Sequence, residues 1–200
     1  MNGFFAALLQ HAFLQTAVAT ALLASIGCGV MGTYVVVKRI AFIAGGIAHS
    51  VLGGMGAAVY FGFEPLHGAL PAAIAAALLI GWVRLHWHAQ EDTLISALWA
   101  IGMAVGVLFI AKAPGYQADL MSYLFGNILL VPRESLWLMI ALDLILLVIV
   151  AAYHRQFLAV VFDEEFARLR GVPVGFFYLL LLVLVAVTVV LLIQVVGLIL

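Results

Sequence analysis

The sequence predicts an all-α protein that crosses a lipid bilayer about six times. Three observations carry this. Of the 200 residues, 68% are hydrophobic and 8% are charged, against the roughly 25% charge that covers a soluble domain. The eight Lys/Arg and nine Asp/Glu lie mostly between long apolar runs. Those runs approach the length of about 20 residues that spans a bilayer core as helix.

Taken in order, Ala12–Val37 is uncharged and is stopped by Lys38 and Arg39. Ile40 to about Phe63 is interrupted only by His49. Leu66–Val83 ends at Arg84, and Leu94–Ala111 ends at Lys112. Leu136–Ala152 encloses Asp143, and Val172–Leu200 holds no Asp, Glu, Lys or Arg. Gly and Pro recur within these runs, as in other membrane helices. Two stretches do not fit the pattern. Pro114–Pro132 is apolar but punctuated by Asp119, Gly126 and Asn127. It is expected to form a short helix at the membrane edge, or to dip partway in. Tyr153–Gly171 carries Arg155, Asp163, Glu164, Glu165, Arg168 and Arg170 and is expected to lie in water. Residues 1–200 thus read as one transmembrane domain. Its last run stops without a basic anchor, so further C-terminal spans are expected.

Basic loop residues mark the cytoplasmic side. An outer N-terminus places Lys38, Arg39, Arg84, Arg155, Arg168 and Arg170 inside, and leaves Lys112 and Arg133 outside. Net charge is −1, which gives no footprint for nucleic acid. The single cysteine, Cys28, excludes an intrachain disulfide and zinc-ribbon spacing. Flanked by Gly27 and Gly29, it suits close packing better than soft-metal binding. No G-x-x-x-x-G-K-[ST] phosphate loop occurs.

The polar stretch has internal order. Asp163, Glu164 and Glu165 suit the positive end of a short helix, and Arg168 and Arg170 suit its negative end. Gly171 suits the C-cap, and Pro173 begins the next element. Such a helix is either a solvated connector or a docking knob for a partner. His49 and Asp143 are polar groups inside apolar runs, where each is a candidate pathway residue. Neutral imidazole suits borderline divalent metals. The bland alternative for His49 is a hydrogen bond within a helix interface. Gly45, Gly46, Gly53, Gly54 and Gly56 around it equally suit close helix approach. Asp143 is alternatively protonated or paired in an interface. Glu64 and His67, three apart across Pro65, form either an outer solvated turn or a cation relay. His86 and His88 point to different sides of a helix and, with Trp82 and Trp87, read as an interfacial belt.

The segment Phe162-Asp163-Glu164-Glu165-Phe166-Ala167-Arg168, followed by Gly171-Val172-Pro173, resembles the coupling segment of ABC-importer permeases, in particular those for zinc, manganese and iron. Four further regions resemble that family in the same order. They are Val36–Phe42 with Ile47-Ala48-His49-Ser50, Glu91-Asp92-Thr93-Leu94-Ile95, Ser122–Leu129 with its Leu-Phe-Gly, and Gln194–Leu200. The likeness covers nearly the whole chain. It implies a multi-pass protein of the inner or plasma membrane, working as a homodimer with two cytosolic ATPase subunits and an outer metal-binding protein. The segment at about 157–172 would then couple to the ATPase through Asp163, Glu164, Glu165, Phe166, Ala167, Arg168 and Gly171. The chain itself would be no enzyme and would hold no cofactor. ATP would be used by the partner, and the divalent metal would be cargo. In the resembling family an Asp lies one turn before the histidine; here that position is Gly45. The metal path is thereby expected to use His49, with Asp143, Glu64 and His67 as further candidates. A secondary transporter driven by ion gradients is the alternative class. An intramembrane enzyme lacks a Ser/His or paired-Asp arrangement.

Overall fold

A charge-free run can propagate as helix until a turn signal stops it. The computed structural model, which describes residues 8–87, 91–113 and 125–197, places these stops close to the expected ones. Helix α1 (Ala12–Lys38) ends at Arg39, whose φ of 59° is left-handed. Arg39 N donates to Val36 O at 3.1 Å, and Ile40 N donates to Val35 O at 3.0 Å. The bonds close a tight reversal into α2 (Ala41–Tyr60). Holding a side-chain-bearing residue left-handed costs about 1–2 kcal/mol. Helix α3 (Pro65–His86) begins on Pro65, whose missing N–H is harmless in a first turn. Helix α4 spans Glu91–Lys112. After a 3-10 turn at Ile128–Leu130, α5 runs from Arg133 to Ala152. Two short helices follow, α6 (His154–Phe162) and α7 (Glu164–Leu169), and then α8 (Val174–Val196). Among the described residues, six helices (α1 to α5 and α8) are long and apolar enough to cross a membrane. The fold is the expected all-α, polytopic one.

The expected edge-lying helix falls partly outside the described residues, which omit 114–124. What is described of it is the 3-10 turn, capped by Asn127, whose side chain accepts from Leu129 N at 3.1 Å. Gly126 has a φ of +71°, and a Cβ there would collide with the Val196 and Gly197 backbone. Both facts require glycine. The polar stretch differs from expectation in its first half. It does not all lie in water, because α6 buries Phe157, Val160 and Val161. Their i, i+3, i+4 spacing makes one apolar face, which the neighbouring charges obscure in the sequence.

Helices α2, α3 and α8 form the centre, and their approach is set by missing side chains. A Cβ on Gly54 would strike the Gly68 carbonyl oxygen and the Ala72 Cβ, and one on Gly68 would strike the Gly54 carbonyl oxygen. Gly53 meets Gly102, and Gly56 meets Gly106, where α2 crosses α4. Small residues are how membrane helices reach such distances. Helix α2 is therefore clasped between α3 and α4.

Candidate functional site

Two regions gather the candidate residues. The first lies where Lys38 of α1, Arg84 of α3 and the α6–α7 segment meet, at one end of the bundle. Helix α7 is short but capped at both ends. The Asp163 Oδ1 accepts from Phe166 N at 2.9 Å. At the other end Gly171 has a φ of +76°. Its N–H donates to Arg168 O at 3.0 Å, and Val172 N donates to Ala167 O at 3.0 Å. This is the paired-bond termination that glycine favours.

Glu164 points inward from this helix. Its Oε1 lies 2.7 Å from Lys38 Nζ and 3.7 Å from Arg84 Nη2. Burial alone would push the Glu164 carboxyl up, but the hydrogen bond and charge of Lys38, with the charges of Arg84 and Arg168, hold it below its ordinary range. The pair's contribution is therefore complete above the ordinary glutamate range and is lost only as acid takes the pH below it. Ala167 is fully buried. Phe162, Phe166 and Leu169 face outward, Leu169 being 87% exposed. The Arg170 guanidinium sits 5.0 Å from the Phe166 ring centre. Helix α7 thus combines a capped backbone, an inward-tied acid and outward apolar side chains.

The second region surrounds His49 on α2. Its imidazole stacks on Trp99 of α4, centroids 4.0 Å apart and planes within 11°. Its Nδ1 is buried and meets no hydrogen-bond partner among the described residues. Trp99 is otherwise engaged, its Nε1 donating to Met103 Sδ at 3.1 Å. The interface hydrogen bond that would make His49 ordinary is thus missing at Nδ1. One turn earlier, a Cβ on Gly45 would meet nothing within 4 Å. The position itself is glycine and supplies no carboxylate.

Asp143 does not join His49. It is 3% exposed, and its Oδ1 would lie 2.9 Å from a Cβ on Gly27 of α1, at a seam that α8 also lines through Thr188. Both its oxygens lack a hydrogen-bond partner among the described residues, and α2 and α5 are not backbone neighbours there. Glu64 and His67 stand at the start of α3, 4.0 Å apart and largely exposed. They sit side by side on an exposed turn. His86 Nδ1 lies 2.9 Å from Trp82 O, and the Trp82 ring contacts both His86 and Trp87; His88 lies outside the described residues. Cys28 is a half-buried free thiol. Among the described residues no three His, Cys, Asp or Glu side chains converge to hold a metal.

The model of the ABC 3 transport family matches residues 10–200. A "Probable metal transport system membrane protein" of Chlamydia trachomatis is 45% identical over 180 residues, covering 87% of this chain and 61% of that protein. The "Manganese transport system membrane protein MntC" of Halalkalibacterium halodurans is 34% identical over 197 residues, covering 98% and 68%. The solved structure "PsaBC from Streptococcus pneumoniae in complex with Fab" superposes with a TM-score of 0.85 at 29% identity, covering 99% of this chain and 71% of that one. The chain thus spans 61–68% of the length of these two curated relatives.

Proposed function

The chain belongs to the ABC 3 transport family, and we propose that it is the membrane-spanning permease subunit of an ATP-driven importer of divalent metal ions. The observation that carries this reading is α7, a doubly capped helix with Phe166 and Leu169 turned outward. It suits a cleft on a cytosolic ATPase, and it lies at the end of the bundle that holds Lys38 and Arg84. By the positive-inside rule that end is cytosolic, which puts the N-terminus outside. The protein then sits in the inner or plasma membrane as a single permease domain, with residues 157–172 as its coupling segment. ATP binds the partner subunit, and this chain carries no cofactor.

The cargo is a borderline divalent ion, zinc, manganese or iron, received from an outer binding protein. Manganese is favoured, because one of the similar proteins is named for manganese transport. His49, with its unpartnered Nδ1, is the metal ligand on the path. One imidazole holds a metal weakly, as a cargo site should. A homodimer would bring the same residue from a second copy by two-fold symmetry. Asp143, beside Gly27 and Thr188 at the seam of α1, α5 and α8, is a second candidate for the path, apart from His49.

The class is tested by the energy source. Cells carrying the chain with its ATPase should accumulate radioactive manganese. Inactivating hydrolysis in the ATPase should abolish accumulation, while an ionophore that collapses ion gradients, with ATP maintained, should not. The opposite pattern would establish the secondary transporter and sink this proposal.

A further inference from the structure

Helix α7 is joined in sequence to α6 and α8, and among the described residues these are also its backbone neighbours. The spanning helices α1 and α3 reach it from a distance, through the long side chains of Lys38 and Arg84. Both converge on one oxygen, Glu164 Oε1.

The two cations are themselves held. The Lys38 side chain is 10% exposed, and its Nζ also donates to Val160 O at 2.8 Å. That carbonyl belongs to the last turn of α6, where no helical donor remains. The ammonium therefore bridges the end of α6 and the start of α7. Arg84 lies 4.4 Å from the Tyr178 ring centre, and its Nη1 donates to the Tyr178 hydroxyl at 2.7 Å. Tyr178 is buried in the first turns of α8. The guanidinium therefore fastens the end of α3 to α8 while touching Glu164. Half-buried charges of this kind are screened little by salt.

We propose that Lys38 and Arg84 are positioning residues that carry displacement of α7 into α1 and α3, with Glu164 as their common joint. This rests on α7 being the ATPase-docking helix. A push on the outward face of α7 moves Glu164 with it, because Glu164 is the first residue of that six-residue helix. The ion pairs then draw the ends of two spanning helices along. Energetic coupling of this sort needs a contiguous element that both sites bias.

The test uses the complete transporter, permease with its ATPase and binding protein, in proteoliposomes, with divalent manganese moved per ATP hydrolysed as the readout. Lys38→Gln and Arg84→Gln should each keep the ATPase bound but lower that ratio by roughly 5–150-fold, the usual span of coupling energies. Lys38→Arg should restore most of the ratio. An unchanged ratio in both Gln variants overturns the proposal. So does a Lys38→Arg protein as impaired as Lys38→Gln, because that marks a fold requirement rather than a joint. Leu169→Glu separates the two readings. If it leaves ATPase binding and the ratio intact, the docking helix has been misassigned. If it releases the ATPase while Lys38→Gln and Arg84→Gln keep the full ratio, only the joint fails.

Discussion

Replacing His49 with Ala should lower manganese uptake by at least the roughly 10–100-fold that loss of even an outer-shell metal partner costs. ATPase association should be unchanged. The expectation follows from position. His49 lies eight residues after Ala41, about 12 Å along α2 at the rise of a helix. That is well inside the membrane and away from α7. Its imidazole stacks on Trp99 but leaves Nδ1 without a hydrogen-bond partner among the described residues. Ala removes the ring and with it the donor atom. Because close backbone contacts at Gly54, Gly68, Gly53 and Gly102 hold α2 to α3 and α4 beside the His49–Trp99 stack, the helix should stay in place. His49→Gln retains a polar side chain of similar reach, without imidazole nitrogen. Uptake by both variants at the normal rate would remove His49 from the path, and transport would then need another ligand.

The second large effect is expected at the outward face of α7. Phe166→Glu and Leu169→Glu should each release the ATPase and abolish transport, while the permease still inserts and remains folded. Both side chains are exposed, so neither substitution opens a cavity. An anchoring aromatic or aliphatic residue at a protein interface is worth about 2 kcal/mol or more, which is roughly 30-fold in affinity. A charge buried there unpaired costs further. Pull-down of the ATPase from detergent extracts reads the result directly. Ala167→Leu would be a poor substitute test, since Ala167 is fully buried and a larger residue there would displace α7 itself.

The six spans were legible because long apolar runs and charged stops leave little freedom in lipid. Lys38, Arg84 and Lys112 each fall in the last turn of a helix. The cap of α7 was legible for a local reason: an Asp at the start and a Gly two residues past the end act within a few residues of themselves. What the sequence hid is tertiary. Lys38 and Arg84 counted there only as orientation signals, and nothing in their spacing shows that both reach Glu164. Glu164 and Glu165 look equivalent as neighbours, yet one is tied inward and the other is exposed. A leucine in a hydrophobic chain carries no signal of its own, and the role of Leu169 shows only in its exposure. Asp143 and His49 seemed comparable as polar residues within spans. Only helix order separates them, because α5 and α2 are not backbone neighbours among the described residues.

The central claim is that α7 seats in the ATPase, and covalent capture tests it most directly. Cys28 is the only cysteine, so Cys28→Ser provides a thiol-free background. A cysteine introduced at Leu169 and carrying a short photoactivatable cross-linker should yield a permease–ATPase adduct on illumination. The same probe at Phe63, exposed in the turn between α2 and α3, should yield none. Capture from Phe63 but not from Leu169, or from neither while the ATPase still co-purifies, would contradict the account.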